Sequence, residues 1–397
     1  MALIHFIPLL ILLPLLFSFA SPLTTTISLG QSGVVPEPFY HSRPIYKEVL
    51  QKLFHHLSPE RMMLFIKTMS EFNSRHAQLN GGKAERWLKQ EILTALNDYR
   101  GGLAYLKEIK DSSELQGRYY SQKNLIAIVE GQDPELRKNL VILGANYDTF
   151  PYYGDYLISR VRSPGASVRP AEFKNSIEFH FYTGSESGSY DGSRDVRFKY
   201  EQEGIIEHIY TLRGVKAMLN VDTVGYQKQK RAIGVCRWNR NGDSIAHPHL
   251  TAFMMMLVRE YSLYRVYLLS HTDRCVSDHI TWNKHGYHSA ALTEVDENPK
   301  GALKDTPDLI NIEQVTEYAK VVLAFVIELG ELKNFPNVPV PEPTTPESGA
   351  QLFSSTTEEP ESTDDDFSDD SAAMKLQVFW RTKMGLILMG IWMIIHL

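Results

Sequence analysis

The sequence predicts an α/β fold in which a mostly parallel central sheet is covered by helices on both faces. Three observations carry that expectation. Apolar runs of strand length recur between residues 124 and 292. Segments with apolar residues at helical spacing lie among and after them. The runs are near-continuous, as in strands buried on both faces of a parallel sheet.

Taken in order, the expected strands are 124–130 ("NLIAIVE"), 139–145 ("NLVILGA"), 176–182 ("SIEFHFY"), 217–222 ("AMLNVD"), 265–269 and 289–292. A helix is expected over 84–99, with Ala84, Trp87, Leu88, Ile92, Leu93 and Leu96 as its apolar stripe and Gly101-Gly102 as its stop. A second, 246–262, aligns Leu250, Phe253, Met254, Leu257, Val258 and Tyr261. Its Met254-Met255-Met256 run reads as core. A third, 311–328, opens with Asn311 and Gln314 at capping-box spacing and buries Val315, Ala319, Val322 and Val326.

The two ends read as addresses. Phe6 to Phe17 is an unbroken apolar run followed by Ser18-Phe19-Ala20, which fits a signal peptide over 1–20. At the other end Ser371-Ala372-Ala373 precede a spacer with Lys375, Arg381 and Lys383, then an uncharged tail from Met384 to Leu397. That is the pattern of a glycosylphosphatidylinositol signal over 371–397, with Ser371 as the anchor site. The alternative is a transmembrane helix, but the uncharged tail rises only about 21 Å at 1.5 Å per residue, against a hydrocarbon core of about 30 Å. Residues 336–370 are rich in Pro, Ser, Thr and acid and read as a solvated stalk. The folded domain is then 21–335, and the protein is expected on the outer face of the plasma membrane.

The charge distribution agrees. The chain of 397 residues carries a formal charge of −6, and every acidic excess falls in the stalk. The remaining domain is nearly neutral, so no basic footprint for nucleic acid exists. Hydrophobic content of 43% excludes a wholly disordered chain. Two cysteines exclude a disulfide scaffold or a CxxC zinc site.

Ligands in open α/β sheets gather at the carboxyl ends of the strands. Asn146-Tyr147-Asp148 follow the second expected strand, "TGSESGSYDGS" with Glu186 follows the third, and Asp222 ends the fourth. Carboxylates after three strands suggest a site, although a single acid there is usually a cap or turn residue.

In this order, "VILGANYDT", "IEFHFYTGSESGSYDGS", "AMLNVDTVGY", "CVSDHITWNKHGYHSAAL" and "DTPDLIN", with "FNSRHAQLNGGKAERWLKQEI" ahead of them, resemble the M28 family of zinc aminopeptidases. The "SDH" element is most similar to the secreted bacterial-type leucyl aminopeptidase branch. The resemblance covers about 60–315. It implies a zinc-exopeptidase α/β fold, a pair of zinc ions as cofactor, and a Glu that takes a proton from the bridging water.

Carried over residue by residue, the resemblance places metal positions at Asp148, Glu186 and Asp222, which are retained. It places family histidines at Asn146 and Ala302, and the general base at Ser185, all changed. The bridging Asp loop has no counterpart in the short 163–176 connection. Asp278 and His279 are implied as supports of the site. His285 and His288 read as a solvated turn. Cys236 and Cys275 are candidates for one disulfide in an oxidising compartment, with two separate buried thiols as the alternative. Loss of a general base costs about 10²–10⁴ in rate. The expectation is therefore a surface-anchored, M28-like ectodomain with impaired or absent catalysis, at most one weakly held zinc ion, and a binding or structural role toward an unidentified peptide or protein. The alternative is an active aminopeptidase with a rearranged metal site, or one truncated by a skipped exon at 163–176.

Overall fold

The computed structural model describes residues 40–72, 82–110, 122–148, 171–185, 190–206, 214–226, 230–270, 272, 275–296 and 307–334. The expected leader, stalk and anchor signal with Ser371, the 163–170 part of the short connection, Glu186 and Ala302 lie outside those residues.

Among the described residues the chain runs α1 (Lys47–Phe54), α2 (Pro59–Ser70), α3 (Gly82–Asp98), β1 (Ala104–Lys110), β2 (Lys123–Val129), β3 (Leu140–Asn146), β4 (Glu172–Phe173), β5 (Ser176–Tyr182), α4 (Asp191–Gln202), β6 (Val215–Val221), β7 (Ala232–Cys236), α5 (Pro248–Tyr261), β8 (Arg265–Leu269), α6 (His279–Asn283), β9 (Ser289–Glu294), α7 (Ile312–Gly330) and β10 (Leu332–Asn334). An eight-stranded sheet has the order β1-β2-β5-β3-β6-β9-β7-β8. Its centre, β5-β3-β6-β9, is parallel, and so is β7-β8. β1, β2 and the β9-β7 junction pair antiparallel. The sheet is mixed and mostly parallel.

Every expected strand is present within a few residues. So are the three helices. On α5 the whole apolar stripe from Leu250 to Tyr261 is buried, and Met254 with it. On α3 the buried set is Ala84, Leu88, Ile92, Ala95 and Leu96; Leu93 points outward, a correction to the expected stripe. α7 is buried almost all round, because it packs beneath β3 and β5 and beside α1, α2 and α5. Its cap is Asn311, whose side chain accepts from Gln314 N at 3.0 Å. The return bond of a capping box is not made. Gln314 Oε1 accepts from Gly225 N at 2.7 Å instead, and Asn311 N donates to Gly225 O. The helix start thereby holds the loop that follows β6.

The two faces of the sheet differ. One face meets α1, α2, α3, α5 and α7 in a large apolar core that includes Leu125, Val141, Phe179, Leu219 and Phe325. The other meets α4 and α6 in a smaller cluster around Ile126, Ile142, Tyr182, Met218 and Trp282. Gly144 makes that second layer fit. A Cβ there would stand 2.7 Å from the Tyr182 ring and 2.8 Å from Met218 Cε, inside any real contact.

Candidate functional site

The strand ends bring together part of the expected set. Asn146 closes β3 and is fully buried, and Asp148 follows two residues on, 1% exposed. Asp148 Oδ2 accepts the backbone N–H of Gly184 at 2.9 Å. The Asn146 amide donates from Nδ2 toward Asp148 O and Oδ1, both at 3.4 Å. Tyr147 between them is turned away, with its hydroxyl on Lys123 O at 2.7 Å.

Ser185 lies in the turn after β5. Its hydroxyl sits 2.9 Å from both carboxylate oxygens of Asp278 and donates to them. Asp278 precedes α6 and is wholly buried. Burial pushes its carboxyl up to about 7, with the nearby Asp148 charge adding to the rise and the Ser193 and Ser185 hydroxyls opposing it. Ser193, on the first turn of α4, was not legible as part of the site. Thr281 joins the helices further, donating to Asp278 O at 2.8 Å and to Ser193 Oγ at 3.1 Å. Tyr190 OH donates to Val276 O at 2.9 Å.

His279 is wholly buried and neither ring nitrogen finds a partner among the described residues. Burial brings its pKa down to about 3, so the ring is neutral. Asn220 Nδ2 donates to Ser277 Oγ at 2.9 Å, one residue before Asp278.

Asp222, after β6, accepts from Thr223 N at 2.7 Å. Thr223 has φ 21°, a conformation a β-branched residue rarely adopts. It is held by a hydroxyl contact with Thr293 and by Glu294 N on its carbonyl at 3.0 Å. Tyr190 at the start of α4 has φ 53°. Both strained residues flank the candidate site, as stored strain commonly does.

Of the two histidines expected in a solvated turn, His285 lies in the turn after α6, half-buried, and His288 does not. His288 is 3% exposed, a correction. Its ring stacks on His247 with centroids 3.5 Å apart, and its Nδ1 is 2.9 Å from Tyr40 OH. It precedes β9, so it stands at the end of the sheet opposite the carboxylates. Cys236, at the end of β7, is bonded to Cys275, with Cα atoms 5.4 Å apart. Of the two cysteine alternatives, the structure has the disulfide. It ties β7 to the segment three residues before Asp278.

The donor set does not fit a pair of zinc ions. An amide stands at 146, where its N–H faces a carboxylate rather than offering a lone pair. A hydroxyl stands at 185 and is committed to Asp278. Among the described residues no three His, Cys, Asp or Glu side chains are placed to share one ion. Chemically, the arrangement is a buried, hydrogen-bonded carboxylate network.

The profile of Peptidase family M28 matches residues 167–326. A probable leucine aminopeptidase of Trichophyton verrucosum is 26% identical, over 78% of this chain and 84% of the relative. Leucine aminopeptidase 1 of Leptosphaeria maculans is 26% identical, over 74% and 76%. This chain is M28 aminopeptidase-like. The fold agrees: the LapA aminopeptidase of Legionella pneumophila superposes with a TM-score of 0.59 at 20% identity, covering 80% of each chain. LapB of the same organism gives 0.58 at 21% identity, covering 74% of this chain and 79% of its own. The M28 family is zinc-dependent in general.

Proposed function

We propose that this chain is a cell-surface, M28-like ectodomain that has exchanged di-zinc peptide hydrolysis for binding. The observation that carries the reading is the Ser185 hydroxyl on both oxygens of Asp278. A side chain at the general-base position that donates to a buried acid cannot take a proton from water. Asn146 supports the same reading, because its N–H directed at Asp148 occupies a carboxylate edge that an ion would need.

Metal analysis of the purified, secreted protein, together with leucine amide hydrolysis, tests this. The expected result is sub-stoichiometric zinc and no turnover above the protein-free rate. Two zinc ions per chain with turnover would overturn it. The second reading, an active aminopeptidase with a rearranged site, is favoured by the names of the fungal relatives, and that outcome would establish it. Release from cells by a phosphatidylinositol-specific phospholipase tests the anchor; retention until detergent is added would replace it with a transmembrane helix.

A further inference from the structure

The far end of the sheet carries a second feature that the candidate site does not use. A cavity of about 460 Å³ opens where β3 and β5 begin, beneath the end of α4. That volume lies in the range of small-molecule sites. Asn146 closes the other end of β3, roughly 20 Å away at 3.3 Å per residue.

The cavity has a buried carboxylate in its wall. Glu178 is 3% exposed. Its Oε2 accepts from Tyr200 OH at 2.8 Å and is 2.7 Å from His180 Nε2. His180 Nδ1 is in turn 2.9 Å from Tyr182 OH. Both bonds fall on Oε2, and no hydrogen bond reaches Oε1 among the described residues. A carboxylate held this rigidly, with one oxygen left over at a cavity, is a built cation acceptor.

The opposite sign is also present. Arg137 lines the cavity, is exposed, and makes no ion pair among the described residues. Lys107 lines it too but is committed. It pairs with Glu203 at 2.5 Å and lies over the Tyr200 ring at 4.9 Å. Ile128, the direct cross-strand neighbour of Glu178, gives the cavity an apolar wall together with Leu140 and Ile205, and Glu130 and Lys138 line it as well.

We propose that this cavity binds a free α-amino acid with an aliphatic side chain. Its ammonium meets Glu178 Oε1, its carboxylate meets the planar donors of Arg137, and its side chain lies on Ile128, Leu140 and Ile205. A simple anion meets repulsion from Glu178. A simple cation leaves Arg137 unanswered. The proposal is independent of turnover at the candidate site.

Calorimetric titration of the whole secreted protein with leucine, N-acetyl-leucine and leucinamide tests it. Leucine is expected to bind saturably, and each blocked analogue roughly tenfold more weakly, the loss of one charged contact. Arg137→Ala and Glu178→Gln should each weaken leucine by a similar factor, while Ser185→Ala leaves it unchanged. Arg137 is exposed, so its variant keeps the test sound even if Glu178→Gln fails to fold. No saturable binding, binding indifferent to Arg137→Ala, or binding lost with Ser185→Ala would each overturn the proposal.

Discussion

The two faces of the sheet solve the same burial problem with different chemistry. Beneath β3 and β5, α7 and its neighbours cover the sheet mostly with Val, Leu, Ile and Phe, and the buried acids there, Glu317 and Glu328, are hydrogen-bonded. Above, α4 and α6 cover it with far fewer apolar groups. There Glu178, His180, Tyr182, Asn220, Asp278 and His279 are buried among them. The apolar face gains from area removed from water and tolerates any sequence that fills it. The polar face gains where donor meets acceptor, and an unmatched buried group, as at His279, costs about 1–3 kcal/mol. Among the described residues, both the candidate site and the Glu178 cavity lie on, or at the rim of, that second face.

The comparison can be broken most forcefully on the apolar side. Phe325→Ala, in the middle of α7, should cost about 3–5 kcal/mol in urea unfolding, as large-to-small core changes do. A loss near 1 kcal/mol would mean that this face does not carry the stability.

On the polar side the expected effect depends on pH. Asp278 holds its proton up to about 7 in the folded state, against 3.8 for an ordinary Asp. Between those values the folded state binds more protons, so its contribution falls as pH rises. His279 is the reverse, titrating near 3 folded against 6.5 unfolded, so its contribution rises with pH through that window. The two slopes oppose each other between about pH 4 and 6.5. The wild-type melting temperature should therefore depend on pH less steeply there than that of either variant. Asp278→Asn should leave a stability that climbs with pH by a few kcal/mol, and His279→Phe one that declines. Parallel pH profiles for all three proteins would refute the buried pair.

Ser185→Ala should have a smaller effect. It removes one hydroxyl from Asp278 while Ser193 remains, costing about 1–2 kcal/mol and raising the Asp278 titration further, readable by carboxyl NMR. Smallest is Asn311→Ala, which loses the α7 cap at about 1 kcal/mol. Because Gln314 and Asn311 also hold Gly225, hydrogen exchange should quicken at 223–226 as well as at the helix start.

The same division governs what could be read from the residues alone. Strands such as 139–145 and the α5 stripe were legible because continuous or periodic apolar residues point to one burial mode. α4 was not. "DGSRDVRFKYEQ" shows little apolar stripe, and it buries Asp191, Asp195 and Arg197 through ion pairs with Arg194 and Glu201 that no periodicity announces. β1 was missed because it is an edge strand with a half-exposed face, paired only with β2. At the site, Asp148 and Asp222 are legible because position after a strand is a linear property, and Ser185 is legible through the family resemblance. Ser193, Asn220 and Thr281 are not, since their partners come from a different helix or strand. The alternation of Glu178, His180 and Tyr182 along β5 was the available signal for the polar face, because residues two apart share one side of a strand.

The disulfide has a practical consequence for any assay of this protein. Cys236 and Cys275 are 39 residues apart, and closing such a loop is worth about 4 kcal/mol to the folded state on the chain-entropy account. The bond also fixes the approach to Asp278. Protein made in a reducing cytosol, or assayed in thiol buffer, is thus a different molecule at the very residues under test, and negative results obtained that way say nothing about the disulfide-bonded form.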